Sequence, residues 1–186
     1  MQKEAIQLPD NFHHELESFL EKQLDRTNYW LSFAEAKNAA LIAFNVAIIA
    51  FIAEFQEDLP IFSTVIMILS VVSTVICLIS FIPITNNCTT INTHATAVTP
   101  NEQKDNLIFW HDIAKLEDEN EYINSVISRY CPQNTSCDQP NKLCLDFASE
   151  ILINSRIAKR KYTYFKIALS VDILALLICV LLFITA

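Results

Sequence analysis

Three apolar stretches, Asn38–Ala53, Leu59–Ile84 and Ile167–Ala186, divide this chain of 186 residues, and its thirteen Lys and Arg residues fall on one side of them. Lys3, Lys22, Arg26 and Lys37 precede the first stretch; the other nine, from Lys104 to Lys166, lie between the second and third. The connector Glu54–Pro60 carries Glu54, Glu57 and Asp58 and no base. A bilayer core accepts a helix of roughly 20 apolar residues, and Lys/Arg-rich flanks mark the cytoplasmic side. The pattern predicts an all-α membrane protein with three transmembrane helices, its N-terminus cytoplasmic and its C-terminus on the outer side.

Composition narrows the function classes. With 52% hydrophobic residues and a net charge of −8, the chain lacks the basic surface that a nucleic acid polymer requires. The first apolar run starts too late, after too acidic a segment, for a cleaved signal peptide. Glycine is absent altogether, which removes glycine-rich phosphate loops and glycine-paired helix crossings. Cys77 and Cys179 lie inside apolar runs and read as small apolar residues. Cys88, Cys131, Cys137 and Cys144 lie on the side read as cytoplasmic, at spacings that fit no zinc module, and read as free thiols. No nucleophile–base pair or metal-ligand cluster stands out. The expectation is a protein without catalytic residues, cofactor or metal.

Pro9 and Asp10 signal a helix start, and Phe12, Leu16, Phe19, Leu20, Leu24 and Leu31 recur at helical spacing without an interrupting proline before Pro60. One helix is therefore expected from about residue 11 to 55. A second span ends near Pro83, and Thr/Asn-rich sequence follows to Asn101. Glu117–Tyr130 reads as a short acidic helix with Tyr122, Val126 and Tyr130 on one face. From about Asn141 a long helix continues to the end, with Leu143, Phe147, Ile151, Ala158 and Tyr162 on its stripe. The resulting division is a cytosolic amphipathic helix over 1–37, spans over 38–55, 60–84 and 163–186, and a cytosolic region over 85–162. The first and third spans thus continue into a cytosolic helical stem.

Each span carries small or polar residues at alternating spacings of three and four: Ala36, Ala40, Ala43, Ala47, Ala50 and Glu54; Ser63, Ser70, Ser73, Cys77 and Ser80; Ala168, Asp172, Ala175 and Cys179. That 3.5-residue period belongs to a left-handed helix bundle, and small residues let membrane helices approach. The expectation is that these seams face one another and that the chain forms a homo-oligomer. Asp172 is the outlier, because a carboxylate in a span is costly and turns to the bundle interior or water. It reads either as a pore or gating group or as a protonated acid hydrogen-bonded to Ser73 or Asn45. Asn45 reads either as lining a water path or as a polar lock.

Arg156, Lys159 and Arg160, with Lys161, form the strongest cationic feature. They read either as an anchor to anionic membrane lipid headgroups or as a phosphate site, since Arg offers paired planar donors. Phe109, Trp110 and Asp112 can stack on and read a base, or the aromatics can anchor their loop. Tyr29, Trp30 and Phe33 resemble an interfacial aromatic belt.

Three segments in order carry a family resemblance: Ala34-Glu35-Ala36-Lys37-Asn38-Ala39 entering the first span with its Asn45, Asn106 to Leu116 followed by Glu119-Asn120-Glu121-Tyr122-Ile123, and Ile151 to Tyr162 leading into the last span. From Tyr29 onward the chain resembles the Pycsar transmembrane effectors. The resemblance implies a bacterial inner-membrane antiphage protein. A partner cyclase would make cCMP or cUMP on infection, and the effector would sense it and damage the membrane, killing the cell. A ligand-independent, holin-like toxin and a membrane-anchored adaptor are the alternatives.

Overall fold

The structure, a computed structural model, describes residues 11–83, 106–130 and 140–185. These residues are helical and contain no strand: α1 (Asn11–Ala53), α2 (Pro60–Ser80), α3 (Trp110–Ile113), α4 (Glu119–Tyr130) and α5 (Lys142–Thr185). Helices α1, α2 and α5 are each long and apolar enough to cross a membrane. At 1.5 Å per residue, the 43 and 44 residues of α1 and α5 give each about twice the length one crossing needs.

The residues group into two units. Unit 1 draws on Met1–Tyr29 and Ile91–Arg156, and unit 2 on Trp30–Thr90 and Ile157–Ala186, so α1 and α5 contribute to both. In unit 1, Leu16 and Leu20 of α1, Leu107, Ile113 and Leu116, Tyr122, Ile123 and Val126 of α4, and Cys144, Ala148, Ile151 and Leu152 of α5 form one buried cluster. Burial pushes the Tyr122 phenol and the Cys144 thiol above their ordinary pKa. Leu143, expected on the inward stripe of α5, is instead exposed, because Cys144, Ala148, Ile151 and Ser155 take that face.

Helix ends are satisfied locally. The Asp118 side chain accepts the Glu121 N–H at 2.7 Å, and the Glu121 carboxylate reaches back to the Glu117 N–H at 2.6 Å, a reciprocal cap for α4. Asn141 Oδ1 accepts the Cys144 N–H at 2.9 Å to start α5. Pro60 occupies the first turn of α2, where its missing N–H costs nothing. Without glycine, the α1–α2 connection is held by side chains: Ser63 donates to the Phe55 carbonyl at 3.1 Å and Gln56 to Thr64 at 3.3 Å.

In unit 2, the α2 seam Ser63, Ser70, Ser73, Cys77 and Ser80 is buried, as are Ala168, Asp172 and Ala175 of α5. The α1 seam differs from the expectation. Ala36, Ala40, Ala43, Ala47 and Ala50 are exposed, and Ala34, Asn38, Leu41, Asn45 and Ile52 point inward. Polarity decides the face. An asparagine turned to lipid leaves an amide unsatisfied, at a cost of several kcal/mol by order of magnitude, whereas an outward alanine costs little.

Candidate functional site

In unit 1, Asn106–Asp118 holds the sequence-predicted base-binding residues, and it is pinned from three helices. Gln23 of α1 donates to the Ile108 carbonyl at 2.8 Å, and the Tyr122 hydroxyl of α4 donates to the Leu107 carbonyl at 3.3 Å. Arg156 of α5 donates through Nη2 to the Leu116 and Glu117 carbonyls at 2.7 and 2.8 Å. Within the segment, Asn106 Oδ1 accepts the Ile108 N–H at 2.9 Å, and Asp112 accepts the Asn106 N–H at 3.2 Å.

Phe109, Trp110 and His111 form an aromatic cluster with ring centroids 5.3 to 6.2 Å apart. Trp110 is buried in it, whereas Phe109 is exposed. Asp112 is bound to Lys115 at 2.7 Å. Burial works against its charge, but the Lys115 hydrogen bond, the Asn106 N–H and the nearby Lys115 and His111 hold its carboxyl below the usual range. Gln23 carries no chemical motif, and nothing in the sequence distinguished it from other polar residues on α1.

Unit 2 gathers two polar constellations. Asn45 of α1, Ser73 of α2 and Asp172 of α5 meet, all buried. Asn45 Nδ2 donates to Ser73 Oγ at 2.9 Å and approaches Asp172 Oδ2 at 3.4 Å. Ser73 Oγ lies 2.8 Å from Asp172 Oδ2 and 3.2 Å from the Ala168 carbonyl. The structure therefore brings together the three residues read as pore or lock groups. The second constellation centres on Lys161, which sequence reading grouped with the cationic cluster and which is buried. Its ammonium donates to the Ser80 carbonyl at the C-terminus of α2, 3.2 Å away, and pairs with Glu35 of α1 at 3.0 Å. A cation there complements the α2 dipole. Asn38 donates to the Lys161 carbonyl at 3.3 Å, tying α1 to α5 again.

At the same residue level, Lys37 lies over the rings of Phe33, Tyr162 and Phe165, 4.6 to 5.6 Å from their centroids. Of the remaining cationic candidates, Lys159 and Arg160 belong to unit 2, where Arg160 lies 5.3 Å from the Tyr164 ring centroid. Arg156 belongs to unit 1. Among the described residues no group of His, Cys, Asp or Glu is arranged to hold a metal ion. Cys88, Cys131 and Cys137 lie outside the described residues.

The model of the Pycsar effector protein domain matches residues 19–186. The chain belongs to the Pycsar effector family. No curated protein and no solved structure matches it. As a Pycsar antiphage effector with three membrane-capable helices it is a membrane protein, and its family implies a cyclic nucleotide signal from a partner cyclase. The matched region of this Pycsar effector takes in the pinned Asn106–Asp118 segment, the buried trio and the Lys161 constellation.

Proposed function

We propose that this Pycsar effector senses a cyclic pyrimidine mononucleotide, cCMP or cUMP, and then impairs the integrity of the bacterial inner membrane, ending infection by cell death. The family match over residues 19–186 carries the reading. It is supported by helices α1 and α5, each unbroken and each supplying residues to both units.

In this account unit 1 is cytosolic and holds the ligand. Phe109 stacks on the pyrimidine, Asp112 reads its edge, and Trp110 fixes the segment from below. Arg156, whose Nη2 already holds the Leu116 and Glu117 carbonyls, offers Nη1 and Nε to the cyclic phosphate. Lys159 and Arg160 meet anionic lipid headgroups at the inner face, alongside the Lys37 aromatic cage. The effector acts as a homo-oligomer and without catalysis. The outward alanine stripe of α1 supplies a surface that a second copy can approach closely. Ligand binding opens the bundle only to the extent that the open form binds it more tightly.

Equilibrium binding of cCMP and of cUMP to the purified full-length protein tests the sensing step. Saturable binding of one or both is expected, and saturable binding of neither would sink it. Labelling of Cys131 in intact cells by an impermeant thiol reagent would contradict the orientation.

A further inference from the structure

The Asn45–Ser73–Asp172 trio makes four polar contacts: Asn45 to Ser73, Asn45 to Asp172, Ser73 to Asp172, and Ser73 to the Ala168 carbonyl. Four two-centre bonds need four hydrogens. An amide nitrogen brings two and a hydroxyl one, whereas an ionised carboxylate brings none. Ser73 has a single hydrogen and two acceptors within reach, Asp172 Oδ2 at 2.8 Å and the Ala168 carbonyl at 3.2 Å. The ionised trio is therefore one hydrogen short.

We infer that Asp172 is a neutral acid in this packing, with its proton on Oδ2 donated to Ser73 Oγ, while the Ser73 hydroxyl donates to the Ala168 carbonyl. Ser73 then accepts from Asn45 and from Asp172 and donates once, so that its hydrogen-bonding capacity is full. Asp172 Oδ1 points in the same direction. Among the described residues it is buried with no hydrogen-bond partner, as is Asn45 Oδ1, and an unpartnered buried oxygen is far less costly on a neutral acid than on a carboxylate.

Among the described residues, the side chains that reach Asp172 are Asn45 and Ser73, and neither carries a charge. The same three helices also pack an apolar cluster of Leu41, Cys77 and Ala168, with Ile42, Ile76, Phe165 and Leu169 against it. Cys77 is the titratable group facing Asp172. The proton thus makes Asp172 a three-helix latch that is compatible with lipid.

A consequence rests on the proposed opening of the bundle. When water reaches the trio, the Oδ2–H bond breaks heterolytically, the electron pair stays on the carboxylate and the proton passes to water. The resulting charge opposes reclosure, and opening becomes easier as pH rises.

Infrared difference spectroscopy of the full-length protein in liposomes at neutral pH tests the proton directly. A protonated-carboxyl stretch is expected that disappears in Asp172→Asn and shifts in Ser73→Ala. Asp172→Asn preserves shape and a donor, so it also reports whether the variants fold. Loss of only carboxylate bands in Asp172→Asn would overturn the proposal, as would a carboxyl stretch that persists in that variant. The spectrum needs no ligand, so an effector that binds no nucleotide would refute the sensing account and leave this result standing.

Discussion

Ser73 Oγ on α2 and Asp172 Oδ2 on α5 stand 2.8 Å apart although 99 positions separate them in the chain. Asn45 completes the link to α1. Three membrane-capable helices are thus joined at one level by side chains with no water-facing alternative. Ser73→Ala removes the shared group and is expected to lower resistance to unfolding in detergent by roughly 0.5–2 kcal/mol, the range for interhelical hydrogen bonds in membranes. A titration of the purified protein from mild detergent into dodecyl sulfate measures it, and no loss would mean the contact is slack.

Arg156 fixes the turn after α3 through one nitrogen that donates to the Leu116 and Glu117 carbonyls. Lysine keeps the charge, but its ammonium ends one bond short of the place where Nη2 sits. Arg156→Lys is expected to weaken unit 1 by about 1.5–3 kcal/mol, the range for hydrogen bonds to charged groups. Hydrogen exchange over residues 114–118 should accelerate accordingly.

Asp112 gives a pH signature. Its carboxyl is held below the ordinary range in the fold, so its contribution is complete above the unfolded value and is lost as pH falls through the lower folded one. The Tm difference between wild type and Asp112→Asn should be present at neutral pH and close in acid. An exposed pair of this kind contributes up to about 1 kcal/mol, so a difference that grew in acid would reverse the assignment.

Phe109 and Trp110 are neighbours with opposite expected phenotypes. Phe109 is exposed and Trp110 buried. Phe109→Ala should weaken cyclic pyrimidine binding by about 1–3 kcal/mol, the value of one stacked base, with little change in Tm. Trp110→Ala should lower Tm first. Calorimetric titration beside thermal unfolding separates the two.

Much of this architecture was legible because hydrophobic periodicity and proline placement are local signals. Pro60 and Lys142 begin helices where the sequence placed them, to within a residue. The serine seam of α2 and the company of Asp172 were legible too, since a polar group in a span has few places to go.

Other features depended on pairings between distant segments. Alanine at heptad spacing marked a face of α1, but the asparagines between took the interior. Lys161 sat in a cationic run and read as surface. Its burial follows from the α2 C-terminus and Glu35 both reaching it. Gln23, which pins the segment carrying Phe109, had no signal beyond its position one helical turn from Leu20.

A membrane lesion under ligand control shows itself as leakage from liposomes holding the purified effector. Release of a trapped dye is expected on adding cCMP or cUMP and not without them. Equal release in the absence of nucleotide, or no release with either, would rule out a lesion under ligand control.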